Sequence, residues 1–243
     1  MLWYQIKDGS KPEHIGVILD GNRRWASDHS IPSWIGHEHG ADKAEELLDW
    51  CLQLGVKTIT LYIFSTENFD RSSDEIEEIM NLLDEKLKSV LSDERTHKYQ
   101  VQIKVIGRIN LIPEHTQEII RKVEEATKNY NQHYLNMAVA YGGRAEIVDA
   151  TKKIAEEIKV GKLAVNEIDE KVIENHLYTS HLPNSDPDII IRTSGEERLS
   201  GFLLWQGAYS ELCFIDVFWP DFRRIDLWRA IRTYQQRDRR FGT

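Results

Sequence analysis

The sequence predicts an α/β fold with a mostly parallel central sheet and helices on both faces. Three observations lead there. Short apolar, β-branched segments alternate with longer amphipathic ones almost throughout the chain. The strand-like segments read as buried, as strands covered on both faces do. No linker breaks the alternation: 6 Pro and 14 Gly are spread thinly over 243 residues, so a single domain over 1–243 is expected.

Residues 15–19 are a short apolar run stopping at Asp20-Gly21-Asn22, which reads as a buried strand ending in a polar turn. Helical periodicity follows over 37–54, with Gly55 a natural stop. Residues 56–64 are rich in β-branched and aromatic side chains and predict a second strand. Over 75–91, Ile76, Ile79, Met80, Leu83, Leu87 and Val90 share one face of a helix. A third strand is expected at 101–106. Residues 113–130 predict a helix with Pro113 in its first turn and Ile119, Ile120, Val123 and Ala126 inward. A fourth strand is expected at 135–140 and a helix at 144–158, after Gly142-Gly143. A shorter helix at 170–177, strands at 189–191 and 212–216, and a helix at 225–239 complete the reading. In parallel sheets ligands bind beyond the carboxyl ends of the strands. The turns after Leu19, Phe64, Ala140 and Ile191 are therefore expected to converge on one site.

Composition narrows the function. There are 31 Lys+Arg against 40 Asp+Glu, a net charge of −9, which argues against a general nucleic-acid binder. Cys51 and Cys213 are the only cysteines, too few for a disulfide scaffold or a multi-Cys zinc cluster. No apolar run is long enough to span a membrane, and the first residues lack a signal-peptide pattern. A cytoplasmic protein is expected, with attraction to a membrane surface left open by the Arg-rich segment 223–240.

Three turns carry candidate chemistry. Asp20-Gly21-Asn22-Arg23-Arg24-Trp25 follows the first strand and opens a helix, whose first amides can hold a phosphate. Arg23 and Arg24 add planar, anion-matching forks. Asp20 beside phosphate needs a bridging hard cation, and Mg²⁺ fits. Taken alone, the segment reads equally as an Asx-turn with two solvated arginines. Ser65-Thr66-Glu67-Asn68-Phe69-Asp70-Arg71 follows the second strand; by itself it reads better as the approach to a helix capped by Ser72 or Ser73. Residues 192–200, with Arg192, Arg198 and Ser200 around a Gly turn, make a second anion site. Glu211 is a lone acid in an aromatic stretch, a metal ligand or an arginine's partner. Two anion sites, a cation position and apolar helices suggest two phosphorylated substrates, at least one of them greasy. P-loop, HExxH and Ser-His-Asp patterns are absent.

These residues resemble the cis-prenyltransferases. The likeness begins at His14-Ile15-Gly16-Val17-Ile18-Leu19-Asp20-Gly21-Asn22-Arg23-Arg24-Trp25-Ala26 and continues through Gly36-His37 and Leu61-Tyr62-Ile63-Phe64-Ser65-Thr66-Glu67-Asn68-Phe69. It resumes at Ala140-Tyr141-Gly142-Gly143-Arg144, Asp188-Ile189-Ile190-Ile191-Arg192-Thr193-Ser194-Gly195-Glu196, Phe202-Leu203-Leu204-Trp205-Gln206 and Trp219-Pro220-Asp221-Phe222, and ends at Arg239-Arg240-Phe241-Gly242. The resemblance implies a Mg²⁺-dependent enzyme with a hydrophobic tunnel. Such enzymes condense isopentenyl diphosphate with an allylic prenyl diphosphate and work as homodimers.

Carried over residue by residue, the resemblance makes Asp20 the metal-linked catalytic aspartate and Asn68, with Ser65, an aid to proton removal. It assigns the allylic diphosphate to Gly21, Asn22, Arg23, Arg24, Trp25, Ser33, His37, Ser65, Thr66, Glu67, Phe69 and Arg71. It assigns isopentenyl diphosphate to Arg192, Arg198, Leu199 and Ser200, with Arg240 and Gly242 reaching the neighbouring subunit. Glu211 becomes the second metal ligand. Two positions depart from the pattern: Ser33 stands where the family usually has an allylic-gripping Arg, and Glu197 where many bacterial members have His. Ile63 fills a tunnel position that is Ala in bacterial long-chain synthases, so a short to medium product, below undecaprenyl length, is expected. Two other readings are a relaxed acceptor (a second allylic diphosphate or an alcohol) and a non-catalytic subunit. The retained Asp20, Arg24, Asn68, Arg192 and Arg198 favour activity.

Overall fold

A computed structural model describes residues 2–236. Six strands form one sheet: β1 (His14–Ile18), β2 (Thr58–Ser65), β3 (Val101–Ile106), β4 (His133–Tyr141), β5 (Ile189–Arg192) and β6 (Glu211–Phe214). Their order is β3-β4-β2-β1-β5-β6, and every pairing is parallel. The expected "mostly parallel" sheet is thus wholly parallel among the described residues. The carboxyl ends of all six strands share one edge, where Ile18 pairs with both Tyr62 and Arg192.

The two faces are unequal. Ile15, Val17, Ile59, Leu61, Ile103 and Val105 point into the larger core, under α3 (Ser33–Leu54), α4 (Ser73–Ser92) and α6 (Glu114–Thr127). Ile18, Tyr62 and Ile190 point the other way and meet Phe202 and Leu203. This is the period-2 alternation of a pleated strand, with both faces covered.

Most boundaries match the sequence patterns to within a few residues. α3 starts at Ser33, earlier than expected, behind Pro32 at its N-cap. It stops at Leu54 because Gly55 takes the left-handed conformation at φ 81°. Pro113 precedes α6 as its N-cap and is not in the first turn. Ala126 faces solvent; the buried neighbour is Thr127, whose hydroxyl donates to Val123 O at 3.0 Å and accepts from Ile103 N at 3.1 Å. Two short helices had no clear pattern, α1 (Leu2–Ile6) and α5 (Glu94–Lys98). The helix after Asp20 is α2 (Asn22–Asp28). It lies so close to α3 that a Cβ on Gly36 would meet Asn22 O at 2.3 Å. α7 (Gly143–Lys159), α8 (Glu170–His176) and α9 (Arg224–Gln236) are the remaining α-helices among the described residues; the last three residues of the expected final helix fall outside them.

Candidate active site

The four expected turns do meet. Asp20, Ser65 to Asn68, Gly142 to Arg144, and Arg192 all line one cavity of about 930 Å³. From this polar mouth the cavity runs along the larger face of the sheet, between α3 and α4. It passes Leu48, Leu61, Leu83 and Met137 and reaches Val101 and Tyr134, at the starts of β3 and β4. It therefore spans the eight residues of β2, about 26 Å at ~3.3 Å per residue.

Asp20 is the hub of the mouth. Its Oδ2 accepts from Arg192 Nη2 at 2.8 Å and its Oδ1 from Arg24 Nη2 at 3.2 Å. Burial pushes this carboxyl up, but hydrogen bonds from Arg192 and Ser194 and the charges of Arg192 and Arg24 outweigh it, holding the group below its usual value. Its backbone is pinned as well: Asp20 N donates to Thr193 Oγ1 at 3.1 Å, and that hydroxyl donates to Asp20 O at 2.7 Å. Gly21 makes the turn at φ 110°, and a Cβ there would lie 2.8 Å from the Phe218 ring.

Arg192 is only 5% exposed. Besides Asp20 it donates to Ser200 Oγ at 2.8 Å and to Arg198 O, while its Nε is buried without a hydrogen-bond partner. Arg24 also donates to Ser194 Oγ at 2.6 Å, and Glu196 pairs with both Arg24 and Arg198. The loop holding these groups is bent to fit: Ser194, Ser200 and Leu203 all have positive φ. Non-glycine residues so placed mark stored strain.

The second turn is a 3₁₀ helix, Thr66–Asp70, closed by a reciprocal capping box in which Asn68 Oδ1 accepts from Ser65 N at 3.0 Å. Thr66, Glu67, Asn68 and Arg71 line the mouth. Beyond them Glu75, 8% exposed, gathers Arg71, His37 and Arg23. Burial lowers the His37 pKa, partly countered by its hydrogen bond to Glu75.

Not every expected residue touches the cavity. Trp25 is buried against His29 and His39, and Phe69 packs edge-on against Phe64 with centroids 5.0 Å apart. Leu199 packs on the smaller core. Ser33 opens α3 one turn before His37. Ile63 does line the cavity, beside a register shift between Tyr62 and Phe64. Arg240 and Gly242 lie outside the described residues.

Glu211, expected as the second metal ligand, stands apart from Asp20 within this chain. It begins β6 opposite Ile189, which pairs with Ile15, so it stands at the amino end of the sheet. Asp20 lies beyond the carboxyl end, about 16 Å further along the strand direction at ~3.3 Å per residue and two strands across. One chain does not bring these two carboxylates together.

Among the described residues no group of three or more His, Cys, Asp or Glu could hold a metal by itself. Mg²⁺ commonly takes one or two carboxylates and completes its shell with substrate phosphates and water. Asp20, ionised and facing a cation-rich mouth, fits that mode. Sequence reasoning missed Glu75, Ser194 and Glu196 as members of the site. Ser194 and Glu196 lie inside a quoted motif; Glu75 was hidden in a pattern that reads as a helix cap.

The protein-family profile described as "Putative undecaprenyl diphosphate synthase" matches residues 18–242. The chain belongs to the cis-prenyltransferase family. It is a prenyltransferase of the polyprenyl diphosphate synthase type. A Methanopyrus kandleri protein named tritrans,polycis-undecaprenyl-diphosphate synthase (geranylgeranyl-diphosphate specific) is 52% identical over 98% of this chain and 87% of its own length. A Methanocaldococcus jannaschii protein of the same name is 51% identical over 98% of this chain and 85% of its own. Among solved structures, lavandulyl diphosphate synthase from Lavandula x intermedia, in complex with dimethylallyl diphosphate, superposes with a TM-score of 0.92 at 36% identity, covering 96% of this cis-prenyltransferase and 99% of that chain. A "probable undecaprenyl diphosphate synthase" from Campylobacter jejuni gives 0.78 at 32% identity, covering 96% and 100%.

Proposed function

We infer that this cis-prenyltransferase extends geranylgeranyl diphosphate with isopentenyl diphosphate to a polyprenyl diphosphate of about undecaprenyl length. The observation that carries the reading is the single cavity joining a cation-rich mouth to an apolar channel as long as the sheet. A diphosphate belongs at the mouth and a growing hydrocarbon in the channel. The names of the relatives about 50% identical support the primer and the length.

In each cycle the allylic carbon–oxygen bond breaks and diphosphate leaves. The double-bond electrons of isopentenyl diphosphate form the new carbon–carbon bond, and one proton is lost. Arg24, Arg71, His37 and the α2 amides are assigned to the allylic diphosphate, whose growing charge they stabilise. Arg192, Arg198 and Ser200 are assigned to isopentenyl diphosphate. Ser65 and Asn68 are assigned to assist the loss of the proton. Asp20 would hold magnesium, which when bound would supply positive charge to the departing diphosphate. Binding of the two substrates must loosen the Asp20–Arg192 and Asp20–Arg24 pairs, freeing both guanidiniums for phosphate. A homodimer, with Arg240 and Gly242 completing the partner's site, is part of the proposal. Among the described residues no helix is long and apolar enough to cross a membrane. A cytoplasmic enzyme with contact at a membrane surface is proposed.

The reading departs from the shorter product expected from Ile63. One large side chain on the cavity wall is a weaker argument than two relatives of about 50% identity whose names specify undecaprenyl. A second reading, with another allylic diphosphate as acceptor, draws on the likeness to lavandulyl diphosphate synthase and on Ser33. Mass spectrometry of products from labelled isopentenyl diphosphate, Mg²⁺ and single primers separates them. The account predicts a ladder of five-carbon additions, longest from geranylgeranyl diphosphate and abolished in Asp20→Ala. Primer consumed without a ladder would establish the second reading. No consumption of any primer would point to a non-catalytic subunit.

A further inference from the structure

Glu75 is a buried carboxylate at the mouth with no part in the chemistry above. Its sequence setting, Ser72-Ser73-Asp74-Glu75, has the form of a capping box, in which the acid turns back onto the N–H of the cap residue. The serine half is present: Glu75 N donates to Ser72 Oγ at 3.4 Å. The carboxylate is directed elsewhere. One oxygen, Oε1, lies 2.9 Å from Arg71 Nη1, 3.3 Å from His37 Nε2 and 3.6 Å from Arg23 Nε. These three groups come from the loop before α4, from α3 and from α2. A helix cap needs neither the burial nor two guanidiniums and an imidazole from three elements. Burying a charge is costly unless it is paired, so the cluster is held together as a unit.

We propose that Glu75 is a positioning residue for the allylic diphosphate, fixing Arg71 and His37 in the geometry that the departing diphosphate requires. This rests on the reading of the mouth as the allylic-diphosphate site. An anion beside an anion site weakens static attraction. A guanidinium already fixed in place needs less reorganisation as charge develops on the leaving group. Glu75 thus trades ground-state binding for rate, which gives it a signature a merely structural residue lacks.

The test is steady-state kinetics on Glu75→Gln, Arg71→Gln and the double variant, with thermal unfolding of each. Loss of a charge-assisted contact predicts a kcat lower by roughly 10- to 100-fold in Glu75→Gln. The allylic KM is expected unchanged or lower, and the isopentenyl diphosphate KM unchanged. In the Arg71→Gln background, Glu75→Gln is expected to cost much less than alone, because the two act as a pair. Unchanged kcat, a raised allylic KM at constant kcat, or full additivity with Arg71→Gln would overturn the proposal. Should Glu75→Gln fail to fold, Glu75→Asp, which keeps the charge but shortens its reach, takes its place in the same cycle with the same criteria. Wild type consuming no allylic diphosphate overturns the underlying reading and this proposal with it; active wild type with an unaffected variant overturns this proposal alone.

Discussion

Asp20 is held between two guanidiniums, and this makes its carboxylate available at any ordinary pH. One face of α3 then extends the mouth. Ser33 and His37 are four apart, so they share that face, and His37 lines the cavity. An arginine at 33 would bring a further donor fork towards the allylic diphosphate. A charge-assisted hydrogen bond is worth ~1.5–3 kcal/mol, so Ser33→Arg is expected to lower the allylic Kd at least ~10-fold. Isothermal titration with a non-reactive allylic analogue reads this directly, and an unchanged Kd would remove Ser33 from the site. Asp20, Arg24 and Arg192 were legible in the sequence because polar residues directly after apolar runs must sit at strand ends. Glu75 was not, because a helix-cap pattern and a buried ion cluster look alike until the neighbouring helices are in place.

At the scale of elements, a chain of buried and half-buried polar side chains ties three strands together. His14 Nε2 lies 2.8 Å from Thr60 Oγ1, Asn136 Nδ2 donates to the same hydroxyl at 3.1 Å, and His181 Nε2 lies 2.9 Å from Asn136 Oδ1. Burial lowers the pKa of both histidines to about 4. In the unfolded chain they protonate near 6.5. Between these values the unfolded chain binds more protons than the folded one, so stability falls as pH drops. It is full above about 6.5 and lost progressively towards 4, by on the order of 3 kcal/mol for the fully buried His14. Urea midpoints across pH 4–7 check this, and His181→Gln is expected to flatten the slope; a flat wild-type profile would contradict it. The strands themselves were legible from apolar runs. The cross-strand pairing of His14, Thr60 and Asn136 was not, because it depends on the order β4-β2-β1, which local patterns do not encode. The same limit explains Ala126: its apolar side chain fits the helical stripe, yet Thr127 takes the inward place because its hydroxyl serves the backbone of β3.

The whole molecule is a covered parallel sheet with an apolar passage along one face, and the proposed function puts a long hydrocarbon in it. The fold class and the meeting of four turns at one edge followed from strand–helix alternation alone. The length of the passage did not, because it depends on how far α3 and α4 stand from the sheet. Ile63 lines the passage beside the irregularity in β2. Ile63→Ala removes bulk from a lined wall and is expected to shift the product distribution upward by one or more five-carbon units, read by mass spectrometry. A distribution that stays put would mean that width at this point does not govern length. The central claim, that diphosphate sits at the Asp20 mouth with its tail between α3 and α4, is tested most directly by a crystal structure. The crystals would contain Mg²⁺ and the thiolodiphosphate analogue of geranylgeranyl diphosphate, which resists ionisation. The account predicts diphosphate contacts from Arg24, Arg71 and the α2 amides, metal at Asp20, and the prenyl chain along Leu48, Leu61 and Leu83. Diphosphate bound away from Asp20, or a chain lying outside the passage, would contradict it.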